Sequence, residues 1–245
     1  MSAARFEVAD LEFGEWLYRE LTADVHREAT GWAPERVERV AARLQADRTE
    51  EARMVPVVLW IRVFTAFTAP GRYVYVGRRL LERCPDDETA ALLVAHEIAH
   101  HDLGHLSGPD WLPDAIRERG GRIAASLYAA MAHRLHGPER ECAADRHALD
   151  LCVSAGYSAV KCLELFGVLE RYAAEVGDED MIHGPDTESD DELSPDASWS
   201  TRARIWLWQR SRGYLPIRDR RAALVRHLDA GRGGASRPFE ATACS

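Results

Sequence analysis

Apolar residues recur at helical spacing through most of the chain, with one interruption. Residues 8 to about 29 read as a helix, and Pro34 in a first-turn position opens a second, PERVERVAARLQAD. From 53 to 76 the period shortens. MVPVVLWIRVFTAF, a turn at Ala69, Pro70 and Gly71, and then RYVYV are dense in β-branched and aromatic residues, which predicts a small sheet. After Pro85 the helical period returns. Asp86, Asp87 and Glu88 suit the positive end of a helix, and Leu92, Leu93, Ala95, Ala99 and Leu103 supply its apolar stripe.

An amphipathic stretch over about 110–136 is weakened by Gly120 and Gly121, and Gly137 with Pro138 starts a further helix that Gly156 can end. Ser158 can cap another, running to about residue 176. Residues 175–198 are strongly acidic and nearly devoid of apolar side chains, which predicts a surface loop. Two more helical patterns cover about 200–212 and 217–228. The pattern as a whole predicts an α+β, mostly helical protein: an N-terminal helical segment over 1–52, a main domain over 53–228 and a disordered tail over 229–245.

Composition narrows the function classes. A hydrophobic content of 46% with 29% charged residues describes an ordinary globular chain, and 245 residues suffice for one sizeable core. The formal charge of -9 argues against nucleic-acid and anionic-membrane partners, which require a basic surface. No apolar run reaches the ~20 residues of a membrane helix, and Glu7 and Asp10 break up the N-terminus where a signal peptide would be apolar. Five scattered cysteines without a CxxC pair argue against a disulfide framework. The expectation is a cytoplasmic protein without membrane insertion.

The chemistry concentrates in HEIAH, residues 96–100. On a helix His96 and His100 share one face, so both imidazoles reach one ion, while Glu97 is turned about 100° aside, where it can act as a base. Random placement yields this pattern in roughly a few per cent of comparable chains, so support from elsewhere matters. Glu141 and Asp145 supply it, four apart on a later helix. Zinc hydrolases commonly take two histidines and a glutamate and leave the fourth position to water, which makes Glu141 the third ligand. Asp145 is placed to accept the remaining N–H of a metal-bound imidazole. HDLGH, residues 101–105, repeats the spacing, so His101 and His105 form a rival pair with Asp102 in place of Glu97. The mid-helix position of the first pair favours it, because Gly104 weakens the helix just before His105. For a donor to a developing oxyanion, His183, Tyr157, Tyr172 and Arg204 are the candidates.

These residues resemble the gluzincin metallopeptidases of the HtpX-like and CAAX-prenyl-endopeptidase group. PGRYVYVGRRLLERCPDDETAALLVAHEIAHHDLGH looks like that family's strand, turn and metal-helix block, and ECAADRHALDLCVSAGY like its E-x-x-A-D segment. The resemblance implies a zincin-like fold with a small sheet packed over the HExxH helix and a second ligand-bearing helix, one Zn2+ per chain, and zinc-dependent hydrolysis of peptide bonds with Glu97 as general base. It also implies a peptide or protein substrate added as a strand near residues 63–67 (Val63, Phe64, Thr65, Ala66, Phe67). The chain departs from the family at Thr65, where Asn is common, and at Ser198 and Trp199, where His-Pro commonly precedes a segment like STRARI. Arg204 matches; the histidine is absent, and His183 is the substitute within reach of the sequence. That absence motivates an alternative, a zinc-binding but latent relative acting as an interaction scaffold, with the acidic loop or Cys244 entering the cleft. A second alternative takes HHDLGH as the His-Asp step of an HD-type metal phosphohydrolase.

Overall fold

The structure is a computed structural model and describes residues 8–24, 27–60, 64–106, 137–176 and 216–233. Among these the chain is mostly helical around a three-stranded mixed sheet. Helices α1 (Val8–Asp24) and α2 (Trp32–Leu44) precede strands β1 (Val55–Leu59), β2 (Ala66–Thr68) and β3 (Tyr73–Gly77). Then follow α3 (Arg78–Arg83), α4 (Asp87–Asp102), α5 (Pro138–Ser154), α6 (Ala159–Cys162), α7 (Glu164–Val176) and α8 (Ile217–Gly233). The first helix stops at Asp24 rather than near 29, because the chain beyond it is drawn to the sheet: Arg27 bridges Leu59, and Glu28 N–H donates to the Val58 carbonyl at 3.1 Å.

The strand order is β1-β3-β2, with β1 parallel and β2 antiparallel to β3. Alternating side chains along a strand serve opposite faces, and here both faces are buried. Val57, Leu59, Phe67 and Tyr75 join Phe13, Leu17 and Leu21 of α1, while Val58, Ala66, Val74 and Val76 join the core built from α2, α4 and α5. Double burial explains why the strands read as a continuous apolar run rather than an alternating one. Gly71, at φ +105, turns β2 into β3 and lies against Gly14 of α1: a Cβ on Gly14 would come within 2.9 Å of the Gly71 Cα. Any side chain at either glycine would push α1 off the sheet.

Helix α4 is buried nearly all round, as a helix covered by neighbours on every side must be. Its start is set by Asp86, whose carboxylate accepts from Thr89 N–H at 3.0 Å in a capping box worth about 1 kcal/mol. Alanines at 91, 95 and 99 on α4 and at 144 and 148 on α5 enter one core with Leu149 and Cys152. Small residues at helical spacing let the two helices approach closely, and that approach brings the polar residues beside them together.

Candidate metal centre

Ligand atoms of three residues converge between α4 and α5. His96 Nε2 lies 3.1 Å from His100 Nε2 and 3.3 Å from Glu141 Oε2, and His100 Nε2 lies 3.4 Å from Glu141 Oε1. A tetrahedral zinc ion with bonds of ~2.0–2.1 Å separates its ligand atoms by roughly 3.3 Å, so these residues fit such an ion. His96, His100 and Glu141 are the one group with metal-holding geometry among the described residues. Glu141 lies in the first turn of α5, which Pro138 opens, where the helix dipole favours a carboxylate. Burial opposes its charge, but the adjoining His100 and His96 rings outweigh that and hold it well below the ordinary glutamate range.

Each histidine is also held from behind. His96 Nδ1 donates to Asp145 Oδ1 at 3.0 Å, which leaves its Nε2 lone pair facing the centre. The partner of His100 comes from the end of its own helix. Gly104, at φ +66, reverses the chain: Gly104 N–H donates to the His101 carbonyl and His105 N–H to the His100 carbonyl, the paired bonds of a Schellman turn. His105 is folded back so that its Nδ1 lies 3.2 Å from His100 Nδ1. Arg140 of α5 secures this turn by donating to the His105 carbonyl at 3.1 Å.

Glu97, next to His96 on α4, is only 7% exposed. Burial is the main force raising its carboxyl, to about 7. The charge of Glu141 adds to the rise, and His96 and Arg220 oppose it. A carboxyl that titrates near neutrality suits proton transfer at neutral pH.

The rival pair does not assemble. His101 Nε2 donates to the Thr68 hydroxyl of β2 at 2.5 Å, while that hydroxyl donates to the Tyr73 carbonyl at 3.0 Å. Burial drives the His101 ring down to about 3, so it stays neutral. Asp102 receives a two-pronged hydrogen bond from Arg48, at 2.9 and 2.6 Å, and another from His147 at 3.0 Å. HDLGH therefore braces α4 at its C-terminal end. Tyr157 is not brought to the centre either: it follows the C-terminus of α5, beneath the Arg43 guanidinium, roughly 20 Å along the helix from Glu141. Tyr172 stacks on Phe64 just before β2, with ring centroids 3.7 Å apart. His183, Arg204, Ser198, Trp199, Cys244 and residues 177–198 of the acidic stretch lie outside the described residues, as does Val63 of the expected substrate strand.

Sequence reasoning missed Arg220. Its side chain comes from the first turns of α8 into the base of the centre, donating through Nε to Asp145 Oδ2 and through Nη2 to Asp145 Oδ1, both at 2.7 Å. Nη2 also lies 3.3 Å from Glu141 Oε2. The helical pattern over about 217–228 was legible, but nothing local separates Arg220 from its neighbours Arg218 and Arg221.

Residues 27–108 match the model of Peptidase family M48. Over this segment the chain is similar to that peptidase family. The match takes in α2, the sheet, α4 and both metal-facing histidines, and it ends before Glu141, Asp145 and Arg220. Members of the family are metal-dependent peptidases, in keeping with the geometry at His96, His100 and Glu141. No curated protein matches the chain. No helix among the described residues is long and apolar enough to cross a membrane.

Proposed function

We propose that the protein is a zinc-dependent endopeptidase with a zincin-like site, in which His96, His100 and Glu141 hold the ion and Glu97 is the general base. The observation that carries this reading is the convergence of His96, His100 and Glu141, whose ligand atoms approach one another at 3.1–3.4 Å through the two ring nitrogens and both carboxylate oxygens, with Asp145 and His105 behind the two rings. A bound zinc ion supplies a positive charge that polarises the scissile carbonyl and acidifies water towards pH 7. Glu97 accepts a proton from the attacking water and delivers it to the departing amine, as its raised carboxyl permits. Asp145 and His105 hold the two imidazoles in the tautomers that leave Nε2 free to bind. His183 and Arg204 are the proposed contributors to oxyanion stabilisation, on sequence grounds alone.

A peptide substrate fits as an added strand on β2, which is an edge of the three described strands and packs against α4. The phosphohydrolase reading has no support in the geometry, because Asp102 is engaged by Arg48 and His147 while His101 faces Thr68.

The test measures zinc content and casein cleavage for wild type, His100→Ala and Glu97→Gln. The expected result is one zinc per wild-type chain, lost in His100→Ala together with cleavage. Glu97→Gln should keep its zinc and lose roughly 100-fold or more in rate. Wild-type protein that binds zinc but cleaves nothing would favour the latent scaffold, and wild-type protein without zinc would refute the metal centre.

A further inference from the structure

Glu141 presents both carboxylate oxygens to the centre, Oε2 at 3.3 Å from His96 Nε2 and Oε1 at 3.4 Å from His100 Nε2. Nothing in the histidine pair decides whether one oxygen or both would bind an ion. Arg220 does distinguish them. Its guanidinium is 6% exposed and forks onto both oxygens of Asp145, and this fork fixes the plane of the group. In that plane Nη2 approaches Oε2 of Glu141, at 3.3 Å. The same cation thus restrains the carboxylate behind His96 and one oxygen of the third ligand.

We propose that Arg220 is a positioning residue of the metal centre: by holding Oε2 of Glu141 and both oxygens of Asp145, it makes Glu141 a one-oxygen ligand through Oε1. The inference rests on the reading of His96, His100 and Glu141 as ligands and adds a role for a residue outside that set. Its chemical consequence is coordination number. A glutamate gripping an ion with both oxygens fills the position that a zinc hydrolase leaves to water, whereas a one-oxygen ligand keeps it open. The arrangement also neutralises a cluster that would otherwise bury Glu141 and Asp145, each 4% exposed, close together with like charge.

The experiment uses the full-length chain as wild type, Arg220→Met and Arg220→Lys. Zinc affinity is measured by competition with a chromophoric chelator, and the visible absorption of the Co2+-substituted protein is recorded. Neither readout depends on peptidase activity. Four-coordinate Co2+ absorbs more intensely than five-coordinate Co2+, so wild type should give the stronger spectrum. Arg220→Met should lower zinc affinity about 10- to 100-fold, the usual effect of losing a partner that orients ligands, and weaken the Co2+ bands as Glu141 engages through both oxygens. Arg220→Lys keeps the buried charge, and so guards against a Met variant that does not fold. Its single ammonium cannot span the two carboxylates, so its Co2+ spectrum should also shift. If either folded variant keeps wild-type affinity and an unchanged Co2+ spectrum, Arg220 only neutralises charge and the proposal is overturned. If wild type binds neither Zn2+ nor Co2+, the metal-centre reading falls and takes this inference with it.

Discussion

At the scale of single residues, the centre depends on which nitrogen of each imidazole carries its proton. His96 is directed by a carboxylate and His100 by another histidine, whose place is set by one backbone reversal at Gly104. Removing the acceptor behind His100 should therefore weaken binding without touching a ligand. His105→Ala should lower zinc affinity by ~10- to 100-fold in chelator competition, with His105→Asn closer to wild type because it still offers an acceptor. Equal affinity in all three proteins would show that the 3.2 Å contact does not orient the ring. Gly104→Ala should have a related effect, since a non-glycine residue at φ +66 costs about 1 kcal/mol and loosens the turn that delivers His105.

At the scale of elements, two contacts set α4 relative to its neighbours. The His101–Thr68 hydrogen bond ties the metal-bearing helix to β2, the strand proposed to receive substrate. Thr68→Val leaves the His101 N–H without that acceptor and should cost about 1–3 kcal/mol of stability. Steady-state kinetics should show KM raised several-fold with zinc content unchanged; loss of zinc instead would mean that the contact supports the ligands rather than the strand. The second contact is at the start of α4, where Asp87 meets Arg36 and Arg39. Burial favours the protonated form of Asp87, but the two arginines outweigh it and its folded pKa lies below the ordinary value. A depressed carboxylate contributes stability above its unfolded pKa of ~3.9 and loses it as pH falls through the folded value. Asp87 is 37% exposed and Arg39 60%, so screening limits the contribution to about 0.5–1 kcal/mol. Urea titrations should thus show Asp87→Asn less stable than wild type at pH 6 and the gap closing towards pH 3.5. A constant gap would show that the loss does not come from the ion pairs.

At the scale of the whole molecule, the candidate centre joins segments far apart in sequence: α4 supplies two of the proposed ligands, α5 the third, and α8 the arginine beneath them. An ion bound there stabilises the packing of all three helices by mass action, by about 2.7 kcal/mol at a free concentration 100-fold above Kd. Adding a chelator should lower the midpoint of thermal unfolding by roughly 5–10 °C for a chain of this size, reversed by returning zinc. An unshifted midpoint in zinc-loaded protein would show that the ion sits on a scaffold already complete without it. The sheet belongs to the same assembly, with α1 covering one face and α2 and α4 the other, so strain introduced at Gly14 or Gly71 is expected to reach α4 through β2.

What the sequence by itself determined is what depends on short spacing. HEIAH and the pair Glu141 and Asp145 are legible because four residues on a helix always return to the same face, and the turn at Pro70 and Gly71 because few residues tolerate its backbone. Strand existence between 53 and 76 was legible from β-branched and aromatic density. Strand order, the parallel pairing of β1 with β3 and the second buried face were not, since a run of apolar residues does not say what will cover it. The same limit explains HDLGH and Arg220. HDLGH repeats the ligand spacing of HEIAH, and only tertiary contacts with Thr68, Arg48 and His147 assign its first side chains to bracing the helix. Arg220 is one arginine among several on α8, and only the packing of that helix against α5 selects it, because a buried guanidinium persists where carboxylates wait to receive it.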